Sequence, residues 1–148
     1  MIDRQQLEAR VQYLATHPAP NNVNCASAAL FLLGFYDQEK YLDMDSAEVQ
    51  DLLHRSTPVT DLSEADMVVV RGMKIFSGRG MGALFSSRSS QRERAIQHLA
   101  VVRDRQEKIL CDRDGYNKPF RPSVSWRNLE RESREHYRVS AVEWYKVP

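Results

Sequence analysis

The segment Asn24-Cys25-Ala26-Ser27-Ala28-Ala29-Leu30-Phe31-Leu32-Leu33-Gly34-Phe35 is small and apolar almost throughout after its first residue. A helix that is apolar all round has no face for water and must be buried, so Cys25 to Phe35 is expected to form a central helix. Asparagine is a favoured N-cap, because its side-chain oxygen accepts from an unpaired first-turn amide. Asn24 therefore sets the start and puts Cys25 at the helix tip. The apolar run ends near Tyr36 after about a dozen residues, short of the ~20 that a bilayer crossing needs. No membrane span is expected.

Outward from this helix the chain changes character once. On the N-terminal side, Leu7, Val11 and Leu14 recur at helical spacing and predict an amphipathic helix from about Arg4 to Ala15. The turn-forming His17-Pro18-Ala19-Pro20-Asn21-Asn22 ends it. On the other side, Asp45 with Glu48 reads as a capping box opening a third helix, Ser46 to Arg55. From Thr57 onward strands take over: Met67 to Val70, Leu99 to Val102, Lys108 to Cys111, and the alternating Tyr137 to Tyr145. Arg103 to Glu107 is a polar hairpin connection, and Trp126 to His136 a short charged helix. The Gly72–Gln97 insert, with Gly78, Gly80 and Gly82 and a serine cluster, suits a surface loop bordering a site. Helices first and a mainly antiparallel sheet second define an α+β domain. With 148 residues and no internal repeat, residues 1–148 form a single domain.

Hydrophobic residues at 42% and charged residues at 28% fit a folded globular chain. The net charge of +1 hides an asymmetry: residues 1–70 hold 4 Lys/Arg against 11 Asp/Glu, and residues 71–148 hold 17 against 9. The two halves can attract each other within one fold, or the basic half can serve a non-catalytic interaction module binding an acidic partner. No nucleic-acid module accompanies the basic residues, so no nucleic acid is expected as partner. The opening Met1-Ile2-Asp3-Arg4-Gln5-Gln6 lacks the basic and apolar regions of a Sec signal peptide. Export would then use a signal-independent route such as a type III or type VI system; otherwise the chain is cytoplasmic.

Chemistry centres on Cys25. Partial positive charge at a helix N-terminus favours thiolate over thiol, and thiolate is the nucleophile. His98 stands at the mouth of the Leu99–Val102 strand, where an imidazole can take the thiol proton and return it to a leaving amine. The following strand returns at Cys111-Asp112-Arg113-Asp114, so Asp112 is the expected orienting carboxylate and Asp114 the alternative. Asp112 and Asp114 also precede Gly115, as residues of an Asp-Gly turn would. Asn21, Asn22 and Asn24 are candidate oxyanion-hole donors beside the Cys25 amide. Cys25, His98 and Cys111 with one of His17, His54 or His136 could form a metal set, but no spacing matches a zinc motif. No metal and no cofactor are expected.

Three motifs together carry a resemblance: Asn24-Cys25-Ala26-Ser27 opening the Ala/Leu-rich helix, Ala65-Asp66-Met67-Val68-Val69-Val70, and His98-Leu99-Ala100-Val101-Val102. They resemble papain-like cysteine hydrolases of minimal size, the NlpC-like and CHAP amidases. Ala65 stands where that pattern has glycine, and Ala26-Ser27 where it has Ser-Gly. Asn24-Cys25 through Leu33-Gly34, with Ile109-Leu110-Cys111-Asp112, is similar to papain-fold toxins and effectors that deamidate glutamine. The resemblance implies a papain-like, NlpC-like fold with N-terminal helices packed on the sheet. It implies a Cys25-His98-Asp112 triad acting on a protein glutamine or a peptide amide, in a secreted bacterial effector or toxin. A peptidoglycan amidase or endopeptidase is the alternative activity. The implied partners are a protein or peptide substrate from a host or competitor, and a cognate inhibitor or chaperone.

Overall fold

A computed structural model describes residues 3–74 and 94–148. The helices are α1 (Arg4–Thr16), α2 (Cys25–Leu32), α3 (Ala47–Arg55) and α4 (Trp126–His136), with a 3-10 turn at Leu62–Glu64. The strands are β1 (Thr57–Val59), β2 (Met67–Lys74), β3 (Ile96–Asp104), β4 (Ile109–Arg113), β5 (Phe120–Ser125) and β6 (Tyr137–Lys146). They form one six-stranded sheet in the order β1-β6-β2-β3-β4-β5, and every pairing is antiparallel. The chain is thus α+β, helices first. Residues 75–93 of the Gly72–Gln97 insert lie outside the described residues; its two ends extend β2 and β3 instead.

Strand alternation sorts the core into two clusters. Met67, Val69, Leu99, Val101 and Cys111 pack with Leu7, Val11 and Leu14 of α1 and with α2. Val68, Ala100, Val102 and Leu110 pack with Leu62, Val124 and Leu129 of α4. A period of two makes this division unavoidable once both faces are covered. All eight residues of α2 are buried, as an all-apolar helix requires.

Two helix ends differ from the expected bounds, for local reasons. Helix α2 stops at Leu32 rather than Phe35, because Gly34 takes φ 87°. The Gly34 N–H donates to Phe31 O (3.1 Å) and the Phe35 N–H to Leu30 O (3.0 Å), the two bonds of a Schellman motif. Helix α3 is capped by Ser46, whose Oγ accepts from Val49 N, one residue later than the expected Asp45 cap.

The opposed charges of the two halves meet inside the molecule. Glu8 binds Arg103 through a double contact at 2.9 Å, Asp66 pairs with Arg105, and Glu39 with Arg113. The last pair is buried and bidentate, both bonds 2.6 Å long. Asp66 also clips the strand ends together, accepting from Val147 N at 2.9 Å through its carboxylate and from Val102 N at 2.8 Å through its carbonyl.

Candidate active site

Cys25 is the first residue of α2, and its position is set by a reciprocal cap. Asn24 Oδ1 accepts from Ser27 N (2.9 Å), and Ser27 Oγ accepts from Asn24 N (2.7 Å). The Asn24 amide nitrogen donates to Leu42 O at 2.7 Å. That bond ties the helix tip to the Tyr41–Met44 segment and uses one of the two donors of the Asn24 side-chain amide. Upstream, Asn117 Oδ1 accepts from Asn22 N (3.0 Å) and Val23 N (3.3 Å), while Asn117 N donates to Val23 O (2.8 Å). Tyr116 OH donates to Asn22 Oδ1. Asn21 and Asn22 are both exposed on this approach to the helix. The Cys25 sulfur lies 3.5 Å from Met44 Sδ. The amides of a helix's first turn have no acceptor within the helix, so the Cys25 N–H belongs to a set of donors open to an anion.

His98 is buried on β3. Val70 pairs with His98 and Arg71 with Ile96, which leaves Gln97 as the extra residue of a bulge beside the histidine. Bulges re-aim neighbouring side chains. Asp112 holds the imidazole: the His98 Nε2 is 2.6 Å from Asp112 Oδ2, and Cys25 lies close enough to act on its charge. With Nε2 engaged by Asp112, Nδ1 is the ring nitrogen left to accept a proton. Burial disfavours the charged imidazolium; the hydrogen bond to Asp112 and the negative charge of Asp112 and Cys25 overcome it, raising His98 to about 10.

Asp112 is buried on β4, which the β3–β4 hairpin lays beside the strand of His98. Burial would push its carboxyl up, but hydrogen bonds from His98 and Arg121 outweigh that and hold it below the usual carboxylate range. Arg121 of β5 grips Asp112 with two bonds, Nε to Oδ1 at 2.8 Å and Nη2 to Oδ2 at 2.9 Å. The same guanidinium reaches Glu132 of α4 at 2.7 Å and Asp114 at 3.3 Å. Asp114 is exposed and, among the described residues, pairs with this arginine alone, whereas Asp112 meets the histidine as well.

The structure thus brings Cys25, His98 and Asp112 together, the last two joined by a hydrogen bond. Three neighbours were missed in the sequence. Met44 and Arg121 sit in segments without a motif. Tyr137 is half-buried, its phenol raised first by burial and then by the charges of Cys25 and Asp114. An arginine on the edge strand beyond the aspartate's own strand gives no linear signal; pairing of β4 with β5 creates the contact.

Cys111 has a different setting. It is buried on the α1/α2 side, 3.7 Å from Val101 O, and burial together with the Asp112 charge pushes its thiol up. Among the described residues, one trio of candidate metal ligands converges within 4.8 Å: His98, Asp112 and Asp114. It contains neither cysteine, and the Arg121 guanidinium already binds both of its carboxylates. Compared with protein-family models, curated proteins and solved structures, the chain has no match.

Proposed function

We propose that this protein is a cysteine-dependent amide hydrolase with a papain-like arrangement: Cys25 the nucleophile, His98 the proton carrier and Asp112 the orienting carboxylate. One observation carries the reading. A buried imidazole lies beside a helix-tip cysteine and a buried carboxylate, with Nε2 committed to Asp112 and Nδ1 left to take a proton. Taking the thiol proton onto Nδ1 leaves a thiolate–imidazolium pair, with Asp112 opposite the new positive charge.

The thiolate attacks the amide carbonyl carbon, and the oxyanion that forms falls at the α2 N-terminus, where the Cys25 N–H can donate. His98 then gives its proton to the leaving nitrogen, the C–N bond breaks, and a thioester to Cys25 remains. Water, losing a proton to His98, attacks the thioester; the carboxylic acid leaves and the thiol is restored. On a glutamine side chain the products are glutamate and ammonia; on a peptide bond they are two shorter peptides. The substrate class we favour is a protein glutamine, in an effector or toxin acting on a host or competitor protein, with a peptide amide as the other amide substrate. The non-catalytic reading of the basic half is weakened by Arg103, Arg105 and Arg113, which are spent on acidic residues of the same chain.

The test is to incubate the protein and a Cys25→Ala variant with candidate proteins, glutamine peptides and muropeptides, and to follow products by mass spectrometry. Expected is a mass gain of ~1 Da or peptide cleavage, through an acyl-enzyme, with the parent and neither product with the variant. Equal activity of a folded Cys25→Ala protein would overturn the reading.

A further inference from the structure

We propose that Arg121 is a positioning residue of this site: its guanidinium fork keeps Asp112 an ionised acceptor through both charge states of His98. The inference rests on the hydrolase reading and extends it to a residue outside the Cys25-His98-Asp112 chain.

The Asp112 side chain is fully buried, a location in which a carboxylate reverts to the neutral acid unless positive charge accompanies it. His98 supplies such charge only part of the time. When the imidazolium gives its proton to a leaving nitrogen, one counter-charge of Asp112 disappears. A guanidinium does not deprotonate in proteins, so Arg121 remains. The consequence is a matter of proton placement. With Asp112 ionised, Nε2 carries the hydrogen and donates to Oδ2, leaving the Nδ1 lone pair to accept from Cys25. A protonated Asp112 would instead donate to Nε2 and force the hydrogen onto Nδ1. That tautomer has nothing with which to accept the thiol proton.

The geometry suits this task. Arg121 uses two parallel bonds, one to each carboxylate oxygen, which fixes the carboxylate plane as a single point charge would not. Asp112 Oδ2 receives both His98 Nε2 and Arg121 Nη2, so guanidinium and imidazole share an atom. Glu132 and Asp114 hold the guanidinium from its other sides. The charged and titratable groups around this pair are thus His98 from β3, Cys111, Asp112 and Asp114 from β4 and its end, and Glu132 from α4. Cys25 and Tyr137 complete the surroundings of the imidazole.

The experiment is the pH dependence of Cys25 alkylation by iodoacetamide on the full chain, read by peptide mass spectrometry with Cys111 as internal reference. In the parent, Cys25 is expected to react faster than Cys111, its rate falling along an acid limb. Arg121→Gln is expected to move that acid limb up by about one pH unit or more and to slow the reaction at pH 6 about tenfold. Arg121→Lys, which keeps charge and loses the fork, is expected to fall between the two, and it carries the test should Arg121→Gln not fold. A strut tying β5 and α4 to β4 would lower the melting temperature and leave the acid limb in place; that result in a folded variant overturns the proposal. A parent Cys25 that reacts as slowly as Cys111 across the range sinks the hydrolase reading itself, a distinct outcome.

Discussion

Cys25 and Cys111 are both free and both buried, yet their surroundings have opposite chemical meaning. Cys111 is enclosed by apolar side chains, with a carbonyl at 3.7 Å and the negative Asp112 next in sequence. Burial and the Asp112 charge favour the neutral thiol and outweigh the opposing charge of Arg103. Cys25 has the N-terminus of α2 behind it and an imidazole in front of it. The lesson is that burial alone says little about a thiol. What matters is whether the buried volume also holds positive charge and a base.

The sharpest way to break the contrast is to remove each sulfur in turn. Cys25→Ala is expected to lower hydrolysis by on the order of 10⁴-fold or more, while Cys111→Ala stays within a few-fold of the parent. A steady-state assay on the substrate found by mass spectrometry decides this, and the reverse pattern would exchange the two roles.

Next in size is Asp112→Asn, expected to cost on the order of 10³-fold in kcat because an amide can hold either tautomer of His98. It also leaves Arg121 with one carboxylate fewer, so circular dichroism must first show a native fold. The neighbouring residue in β4 supplies a control. Breaking the buried Arg113–Glu39 pair with Glu39→Gln should cost about 3–5 kcal/mol in denaturant titration, while Cys25 alkylation in the folded fraction keeps its pH profile.

A smaller effect sharpens the comparison through pH. His98 titrates higher in the folded protein than its ordinary value near 6.5. Its contribution to stability is therefore fully present below that value and lost as pH rises toward about 10. Asp112 is shifted down, so its contribution is present above the ordinary carboxylate value and fades as acid approaches its folded one. Cys111, shifted up, adds to the alkaline loss. Denaturant titrations at pH 6 and pH 10 under reducing conditions should show His98→Gln losing less stability between the two than the parent. The smallest expected change is Gly34→Ala, costing about 1 kcal/mol by placing a Cβ where φ is 87°.

How much of this was legible beforehand depended on the range of the interaction. Trp126–His136 matches its expected helix, and Asn24 caps α2 as its chemistry demands, since both features need only neighbours within four residues. The β-branched runs of β2 and β3 announced strands but not their full length. β5 escaped because Phe120-Arg121-Pro122-Ser123-Val124-Ser125 neither alternates nor looks like a strand, with a proline in its middle. Its place at the sheet edge explains why that proline is tolerated. Missing β5 meant missing Arg121.

Local patterning thus determined, without coordinates, that an apolar helix begins at Cys25, that strands follow the helices, and that a hairpin returns Asp112 toward His98. The tertiary structure decided which nitrogen of His98 meets a carboxylate, that Asp112 rather than Asp114 receives it, and that Arg121 completes the carboxylate's surroundings. Periodicity and capping are written into near neighbours along the chain. The direction of a side chain across a sheet depends on register and bulges, set by residues far apart in sequence.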